Sequence, residues 1–301
     1  LCEALNVRPD FFHRSSVIEL GEINFRKLNK FPVKDKNKII QQTRETLSSY
    51  LEVEDILNIE NTFVNPLDGF DISEPEKIEQ AAEHVREKWE LGFDPIYNII
   101  ELFEDKGIKI IEVNESDEFS GMGTWVNTIP VIVINMNEHI PADRKRFTAM
   151  HELGHLLLFK QLEHLAHDGR ERICNRFAGA MLLPSATLKK EIGEHRNKIY
   201  INELGELKKQ YGISIQSISY RLKDQDVIPG NFHKQFMFML SHLGFRRIEP
   251  AQYDFKGEEK SNRFKQLIFR ALAEELISVS KAASLCNLKV AEFRDRFLMA
   301  G

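Results

Sequence analysis

The stretch FTAMHELGHLLLF, residues 147–159, places two histidines four residues apart, with a glutamate directly after the first. In an α-helix, residues i and i+4 lie about 40° apart around the axis and roughly 6 Å apart along it. His151 and His155 would therefore lie one above the other on one face of a helix. Glu152 is turned about 100° from His151, so it can reach a group bound by the pair without being a ligand itself.

An ordinary amphipathic helix is the alternative interpretation of this stretch. In that case the histidines would be hydrogen-bonded core residues on the apolar face. The apolar stripe, however, falls on the side opposite to the histidines, and its members are Met150, Leu153 and Leu157. We therefore interpret the histidine pair as two ligands of a metal site.

Zinc chemistry gives each of these residue types a role. Catalytic zinc uses three protein ligands, commonly imidazoles and a carboxylate, and keeps a fourth position open. The ion lowers the pKa of water to about 7, and a nearby glutamate can take the proton as the water attacks a carbonyl. Glu152 is placed for that role. A third ligand must come from another part of the chain.

Several residues downstream of the histidine pair can supply the third ligand. Glu171 begins the next predicted helix, and a carboxylate from a separate antiparallel helix can meet the pair from the side. A residue on the helical run that carries the two histidines would tend to point away from them. Glu171 is therefore favoured, while four alternatives stay open on the segment that leaves the first helix: Glu163, His164, His167 and Asp168.

The composition is that of an ordinary globular protein. Its 301 residues suggest about two domains, and no run approaches the 18 or so apolar residues of a membrane span. With a net charge of -5, the chain as a whole does not attract the negatively charged backbone of nucleic acid. Three widely spaced cysteines and the lack of a visible signal peptide predict a cytoplasmic location. A first residue other than Met predicts that the natural protein extends upstream.

The spacing of apolar and turn-forming residues predicts a mainly helical α+β chain. Pro, Gly and Asp mark residues 65–77 as a linker. Strands are predicted at 108–113, near 123–126 and at 130–135, from β-branched content and Gly or Asn boundaries. Helices are predicted at 33–60, about 75–90, 95–107 (closed by Gly107), 141–159, 171–184 (ended by Pro184) and over almost all of the remainder.

Two sequence blocks, RFTAMHELGHLLL and the later ExxCNRFAGAMLLP, resemble the ImmA/IrrE family of bacterial zinc metallopeptidases. The resemblance implies a zincin-like, gluzincin-type core with a small β-sheet and the HExxH helix. It also implies that His151, His155 and Glu171 are the zinc ligands and that Glu152 is the general base. The residues that match the family pattern are Arg144, Phe147, His151, Glu152 and His155 in the first block, and Glu171, Asn175, Phe177, Ala178, Leu182, Leu183 and Pro184 in the second.

The same resemblance suggests roles for further residues. Asn175 would orient a histidine through its free ring nitrogen. The segment YGISIQSISYRL resembles the helices that follow the catalytic ones in the family. Its Tyr220 and Arg221 are candidates for stabilising the oxyanion, a role for which His164 and His167 compete. The strand at 130–135 is expected at the sheet edge, where an extended substrate can pair with it.

Both ends of the chain have helix-turn-helix features. The segment LCEALNVRPDFFHR resembles the last helix of a Cro/C1-type (Xre) DNA-binding domain, most of which would lie upstream of residue 1. Residues 274–297 also have the spacing of a helix-turn-helix. Its second helix would place Glu292 and Asp295 beside DNA phosphates, which would repel them, so a packing or dimer module is favoured. The predicted regions are an N-terminal helical region at 1–65, a metallopeptidase domain at 75–200 and a C-terminal helical region at 201–301.

These observations predict a cytoplasmic zinc-dependent endopeptidase. The family resemblance implies a protein substrate and suggests a helix-turn-helix repressor, whose cleavage would derepress stress, prophage or mobile-element genes. The alternative is a DNA-binding transcriptional regulator, or a toxin–antitoxin component, whose peptidase-like domain senses a ligand or binds a partner. DNA contact is expected only through the upstream domain, membrane contact is not expected, and homodimerisation is a candidate assembly. Mn²⁺ or Fe²⁺ can occupy the same ligands as Zn²⁺.

Overall fold

The computed structural model describes residues 33–60, 63–72 and 77–297. Contacts divide the described residues into a large unit, within Phe63–Thr124 and Pro130–Lys260, and a small unit, which contains residues 33–60, Trp125–Ile129 and 261–297. The small unit thus combines segments from before and after the large unit, whereas the sequence predicts three consecutive regions; that division stays a prediction. The segment that resembles an Xre domain lies in residues 1–32, outside the described residues.

The large unit contains a three-stranded sheet and most of the helices. Its strands are β1 (Lys109–Val113), β2 (Gly121–Val126) and β3 (Ile129–Asn135). The last two residues of β2 and the first residue of β3 are assigned to the small unit. Its helices are α2 (Lys77–Lys88), α3 (Ile99–Asp105), α4 (Ala142–Leu157), α5 (Phe159–Leu162), α6 (His167–Leu182), α7 (Ser185–Ile192), α8 (Ile201–Tyr211), α9 (Ile215–Asp224) and α10 (Gly230–His242).

The strands lie in the order β1-β3-β2. Strands β1 and β3 are parallel, with Lys109 opposite Val131 and Val113 opposite Asn135. Strands β2 and β3 are joined by a two-residue turn in which Asn127 has a φ of 56°, as tight antiparallel hairpins require. The sheet is therefore mixed, and β3 is its central strand.

This order corrects the expectation that residues 130–135 form an edge strand. All six of these residues are buried, and their strand has a neighbour on each side. The hydrophobic run PVIVIN is what a strand covered on both faces requires. The edge positions of the described sheet belong to β1 and β2.

The predicted mainly helical α+β class is confirmed. The predicted helix at 171–184 starts earlier than expected, since α6 begins at His167. Gly169 lies inside the first turn of α6. None of the helices in the described part of the chain is long and apolar enough to cross a membrane.

The small unit has a helical core of its own. Helix α1 (Val33–Ile56) packs with α11 (Arg263–Ala273), α12 (Val279–Leu285) and α13 (Val290–Phe297). Ser278 caps α12 by accepting from the backbone N–H of Lys281 at 3.2 Å. The predicted helix-turn-helix at 274–297 thus corresponds to helices that share a core with α1. A role of these helices in a dimer stays a prediction. The buried core residues are Tyr50, Val53, Leu57, Leu267, Ile268, Ala271, Ile277, Ala282, Ala283, Leu285 and Phe293.

Candidate metal centre

Three side chains from two helices of the large unit converge on one point. The Nε2 atoms of His151 and His155, both on α4, lie 3.0 Å apart. Glu171 on α6 places Oε2 at 3.2 Å from Nε2 of His151 and Oε1 at 3.1 Å from Nε2 of His155. Among the described residues, this is the group of three ligand-type side chains close enough together to share one ion. The structure therefore brings together the histidine pair and the favoured third ligand.

The spacing of these atoms fits a small divalent cation. With metal–ligand bonds of about 2.0–2.1 Å, the edge of a tetrahedron is about 3.3 Å. The observed separations in this ligand triangle are close to that length: 3.0 Å between the two Nε2 atoms, and 3.1 and 3.2 Å from these atoms to the two oxygens of the Glu171 carboxylate. Two imidazoles and one carboxylate are also a donor set that catalytic zinc uses. The residues present therefore fit a zinc ion.

Asn175 sets the protonation of one ligand. Its Oδ1 lies 2.8 Å from Nδ1 of His151. Because an amide oxygen accepts hydrogen bonds, this contact assigns the ring proton to Nδ1 and leaves the lone pair of Nε2 directed at the site. Asn175 follows Glu171 by one helical turn, so α6 supplies both a ligand and the group that orients another.

Glu152 lies next to the ligand triangle and is fixed from the side of the sheet. Its side chain is buried, and Oε2 accepts a hydrogen bond of 2.7 Å from the backbone N–H of Gly123 on β2. It does not belong to the group of candidate ligands. Glu152 directly follows the candidate ligand His151 on α4, which is the place that the sequence predicts for a proton acceptor.

Two glycines of β2 permit this contact, and the sequence analysis did not identify them. A Cβ on Gly123 would lie 2.9 Å from the backbone oxygen of Glu152. A Cβ on Gly121 would lie 2.7 Å from Cγ2 of Thr148 on α4. The strand can thus approach the helix only without side chains at these positions. The alternating glycines of GMG were the available signal, because glycine inside a strand often marks a close backbone approach.

The two metal-site helices are packed closely enough to hold the triangle. Among the described elements, α4 and α6 form the most extensive helix pair. A Cβ on Gly154 would lie 3.2 Å from Phe177 and 3.3 Å from Cα of Cys174, so the helix backbones approach where Gly154 faces α6. Cys174 is fully buried in this contact. The apolar stripe predicted for α4 is buried as well, at Met150, Leu153 and Leu157.

The other proposed third ligands lie outside the triangle. Glu163, His164 and Asp168 are exposed. His167 is also exposed, with Nε2 at 3.8 Å from Oε1 of Glu171, one turn along α6. It therefore borders the site from the solvent side. A role for His164 or His167 in stabilising an oxyanion stays a prediction.

The structure gives Tyr220 and Arg221 other neighbours. The exposed ring of Tyr220 lies 4.5 Å from the ring of His233. Arg221 is buried, forms an ion pair with Glu79 and donates to the carbonyl of Leu183 at 2.8 Å. Leu183 directly follows the end of α6, twelve residues after Glu171. No contact described here links either side chain to the ligand triangle, and their assignment to the oxyanion stays a prediction.

Comparison with known proteins agrees with this geometry. Residues 103–223 match the Peptidase_M78 family, described as the IrrE N-terminal-like domain, and the matched segment contains the three candidate ligands and Glu152. No match was found among curated proteins. Among solved structures, a Mycobacterium tuberculosis transcriptional regulator is similar at 18% identity and a TM-score of 0.38, over 58% of this chain and 51% of that one. The matched part thus spans about half the length of that regulator. The match over residues 103–223 supports the assignment of this segment to the ImmA/IrrE family.

Proposed function

We propose that this protein is a zinc-dependent endopeptidase. The observation that carries the proposal is the triangle of His151, His155 and Glu171, with Glu152 fixed beside it by Gly123. A structural histidine pair would not need a third ligand at 3.1–3.2 Å from both rings. A metal site without hydrolytic function would not need a buried carboxylate next to the ligands. Family membership of the segment 103–223 supports a peptidase.

In this proposal the three side chains of the triangle hold the ion. Zinc supplies Lewis acidity when bound, which makes water more acidic and polarises a carbonyl group. Glu152 accepts the proton of the attacking water and delivers it to the leaving amine. The N–H of Gly123 holds one oxygen of this carboxylate in place, so the proton acceptor does not have to be reoriented for each turnover.

A protein substrate can bind along β2. This strand lies at an edge of the described sheet, and its Gly123 contacts Glu152. An extended peptide that adds to a sheet edge gains backbone hydrogen bonds and is held parallel to the strand. Such a peptide would pass close to the catalytic carboxylate. We therefore transfer the substrate-pairing role from residues 130–135 to β2.

The substrate proposed from the family resemblance is a helix-turn-helix repressor. The matched family supports proteolysis, and the identity of the repressor follows only from the resemblance. Cleavage of such a repressor would derepress the genes that it controls. A repressor encoded beside this gene is the natural first substrate to examine.

A zinc assay and a cleavage assay test the proposal together. The purified protein should hold about one zinc ion per chain, and His151→Ala should lose it, because one of three ligands is removed. Glu152→Gln should keep the metal and lose cleavage of the neighbouring repressor. Retained cleavage by Glu152→Gln would contradict the assigned base. If no product forms with Zn²⁺, Mn²⁺ or Fe²⁺, the result favours the transcriptional regulator whose peptidase-like domain senses a ligand.

A further inference from the structure

A segment of the large unit that follows the family-matched region is anchored at several points on the helices of that unit. We call residues 249–260, which follow α10 and precede α11, the strap. The Tyr253 hydroxyl donates to Oδ1 of Asn202 at 2.7 Å, and the Tyr253 ring packs where Gly205 has no side chain. Glu259 accepts from the backbone N–H of Ile99 at 2.8 Å. The strap is therefore a packed element with little regular structure.

The strongest anchor of the strap reaches the metal-site helix. Arg146 on α4 is completely buried and forms an ion pair with Glu259 of the strap, which is also buried. Its guanidinium lies 4.4 Å from the ring centre of Phe255, which is another strap residue. It also donates to the carbonyl of Ile96 at 2.7 Å and to that of Tyr211 at 3.3 Å.

The site of Arg146 is shaped for this side chain. Gly212 closes α8 with a φ of 61°, and a Cβ at this position would lie 2.4 Å from Nε of Arg146. Burial raises the pKa of Glu259 and lowers that of Arg146, and the opposite charge of the partner counteracts both shifts. Removing one member would leave an uncompensated charge in the interior.

A second anchor of the strap reaches the first turn of the same helix. Lys208 on α8 is buried and lies 2.9 Å from Glu249 of the strap and 3.4 Å from Asp143 of α4. Glu249 also accepts from the backbone N–H groups of Ile215 and Gln216, at the start of α9. The strap is thus joined to the N-terminal half of α4 both directly and through Lys208.

Helix α4 is therefore held at two places along its axis. Gly154 fixes its C-terminal half against α6, and Arg146 fixes its N-terminal half against the strap. These two places are eight residues, or about 12 Å, apart. The ligand His151 lies between them, and His155 follows Gly154 directly. Without the contact at Arg146, the N-terminal half of the helix loses an anchor, and a shift of this half relative to α6 changes the distances from both histidines to Glu171.

We propose that the strap positions the metal-binding helix and that Glu259 is a positioning residue of the metal centre. This inference rests on the proposed function, since it assumes that the triangle binds zinc. Neither Glu259 nor Arg146 touches the ligand atoms in this role. They act by keeping α4 in the orientation in which the distances from His151 and His155 to Glu171 fit the ion.

Zinc binding to the full-length chain tests the proposal. We expect Glu259→Gln to raise the zinc dissociation constant at least tenfold, as removal of groups that orient metal ligands commonly does. Competition with a chromogenic chelator measures this constant. The visible spectrum of the Co²⁺-substituted protein should also change, because it reports the geometry of the ligands.

The matched control is Leu240→Ala. Leu240 is fully buried in α10, which packs against α9, so its truncation lowers stability at a distance from α4. We expect this variant to melt at a lower temperature than the wild type and to bind zinc within about twofold of the wild-type affinity. Phe255→Leu removes the ring from the guanidinium and keeps both charges. It serves as the test if Glu259→Gln does not fold, and we expect it to weaken zinc binding about threefold.

The outcomes separate this inference from the proposed function. Weaker zinc binding and an altered Co²⁺ spectrum in the strap variants, with an unchanged Leu240→Ala control, support the strap as a positioning element. Equal zinc affinities in strap variants and control overturn it. A wild-type protein that does not bind zinc would instead refute the metal site on which both proposals depend.

Discussion

Gly123→Ala tests how the carboxylate of Glu152, the proposed proton acceptor, is held. The added Cβ would lie 2.9 Å from the backbone oxygen of Glu152 and 3.3 Å from Cγ of Leu156. The optimum for such contacts is about 3.5 Å or more, so β2 must move away from α4 by about 0.5 Å. The hydrogen bond from Gly123 to Glu152, now 2.7 Å, would then stretch to more than about 3.2 Å.

The expected magnitude follows from these distances. Overpacking of this kind costs about 1–3 kcal/mol of stability. A displacement of about 1 Å can cost a hundredfold in rate, so half of that displacement should lower kcat about tenfold. Tenfold corresponds to about 1.4 kcal/mol in the barrier. Zinc content should not change, because Gly123 contacts no ligand atom.

Gly121→Ala is the matched control for this variant. Its Cβ would lie 2.7 Å from Cγ2 of Thr148 but 3.8 Å, an ordinary contact distance, from Cγ of Glu152. Stability should also fall, but kcat should change by less than about threefold, because the Thr148 side chain can rotate away whereas the backbone oxygen that Gly123→Ala meets cannot. Urea denaturation and timed cleavage of the substrate found in the repressor assay measure the two quantities. Equal losses of kcat in the two variants would refute the positioning of Glu152 by Gly123.

Three further predictions concern other parts of the molecule. Asn175→Ala should weaken zinc binding about tenfold or more, because Nδ1 of His151 loses its orienting partner; an unchanged affinity in chelator competition would contradict this. Phe293→Ala should lower the stability of the small unit by about 3–5 kcal/mol in urea denaturation and leave the zinc content unchanged. A loss of zinc would show that metal binding in the large unit depends on the core of the small unit. Burial raises the pKa of Cys286 to about 11, so stability from this thiol is present below pH 9 and is lost as the pH rises towards 11. Between these pH values the stability of wild type should fall more steeply than that of Cys286→Ala, and parallel curves would show that the thiol does not contribute.

The parts of the site that sequence predicts best are those fixed by a single helix. The i, i+4 spacing determines that His151 and His155 share a face, and the opposed apolar stripe determines which side of α4 is buried. These inferences need only helical geometry and the direction of one face. Glu171 lies on a second helix, so helical geometry only favours it over four alternatives, and the family resemblance is what implies its role as a ligand.

The features that sequence did not predict depend on contacts between distant segments. Strand order is one example, because the run at 130–135 has the composition of a strand but does not reveal its neighbours. Gly123 is another, since its role appears only when β2 lies against α4. The pair of Arg146 and Glu259 joins residues 113 positions apart, and neither side chain has a local motif. Such pairings have no periodic signature along the chain.

Contacts between distant segments also predict that the candidate metal centre requires more of the chain than the segment 103–223. Arg86 on α2, before this segment, donates to the carbonyl of Met181 on α6 at 2.5 Å. Asn65 donates to the carbonyl of Leu157, the last residue of α4, at 3.0 Å. Glu259, after the segment, neutralises Arg146. Both metal-site helices are therefore supported from outside the family-matched region.

A comparison of two fragments tests this conclusion. The fragment 63–260 retains every one of these contacts, whereas the fragment 103–223 retains none and leaves the charge of Arg146 without its counter-charge. An unpaired buried charge costs about 3–5 kcal/mol, a large share of the 5–15 kcal/mol that stabilises a typical domain. We therefore expect 63–260 to fold cooperatively and to bind zinc, and 103–223 to do neither, as measured by thermal melting and chelator competition. A cooperative, zinc-binding fragment 103–223 would show that the metal centre is sustained by the pairing of α4 with α6 alone.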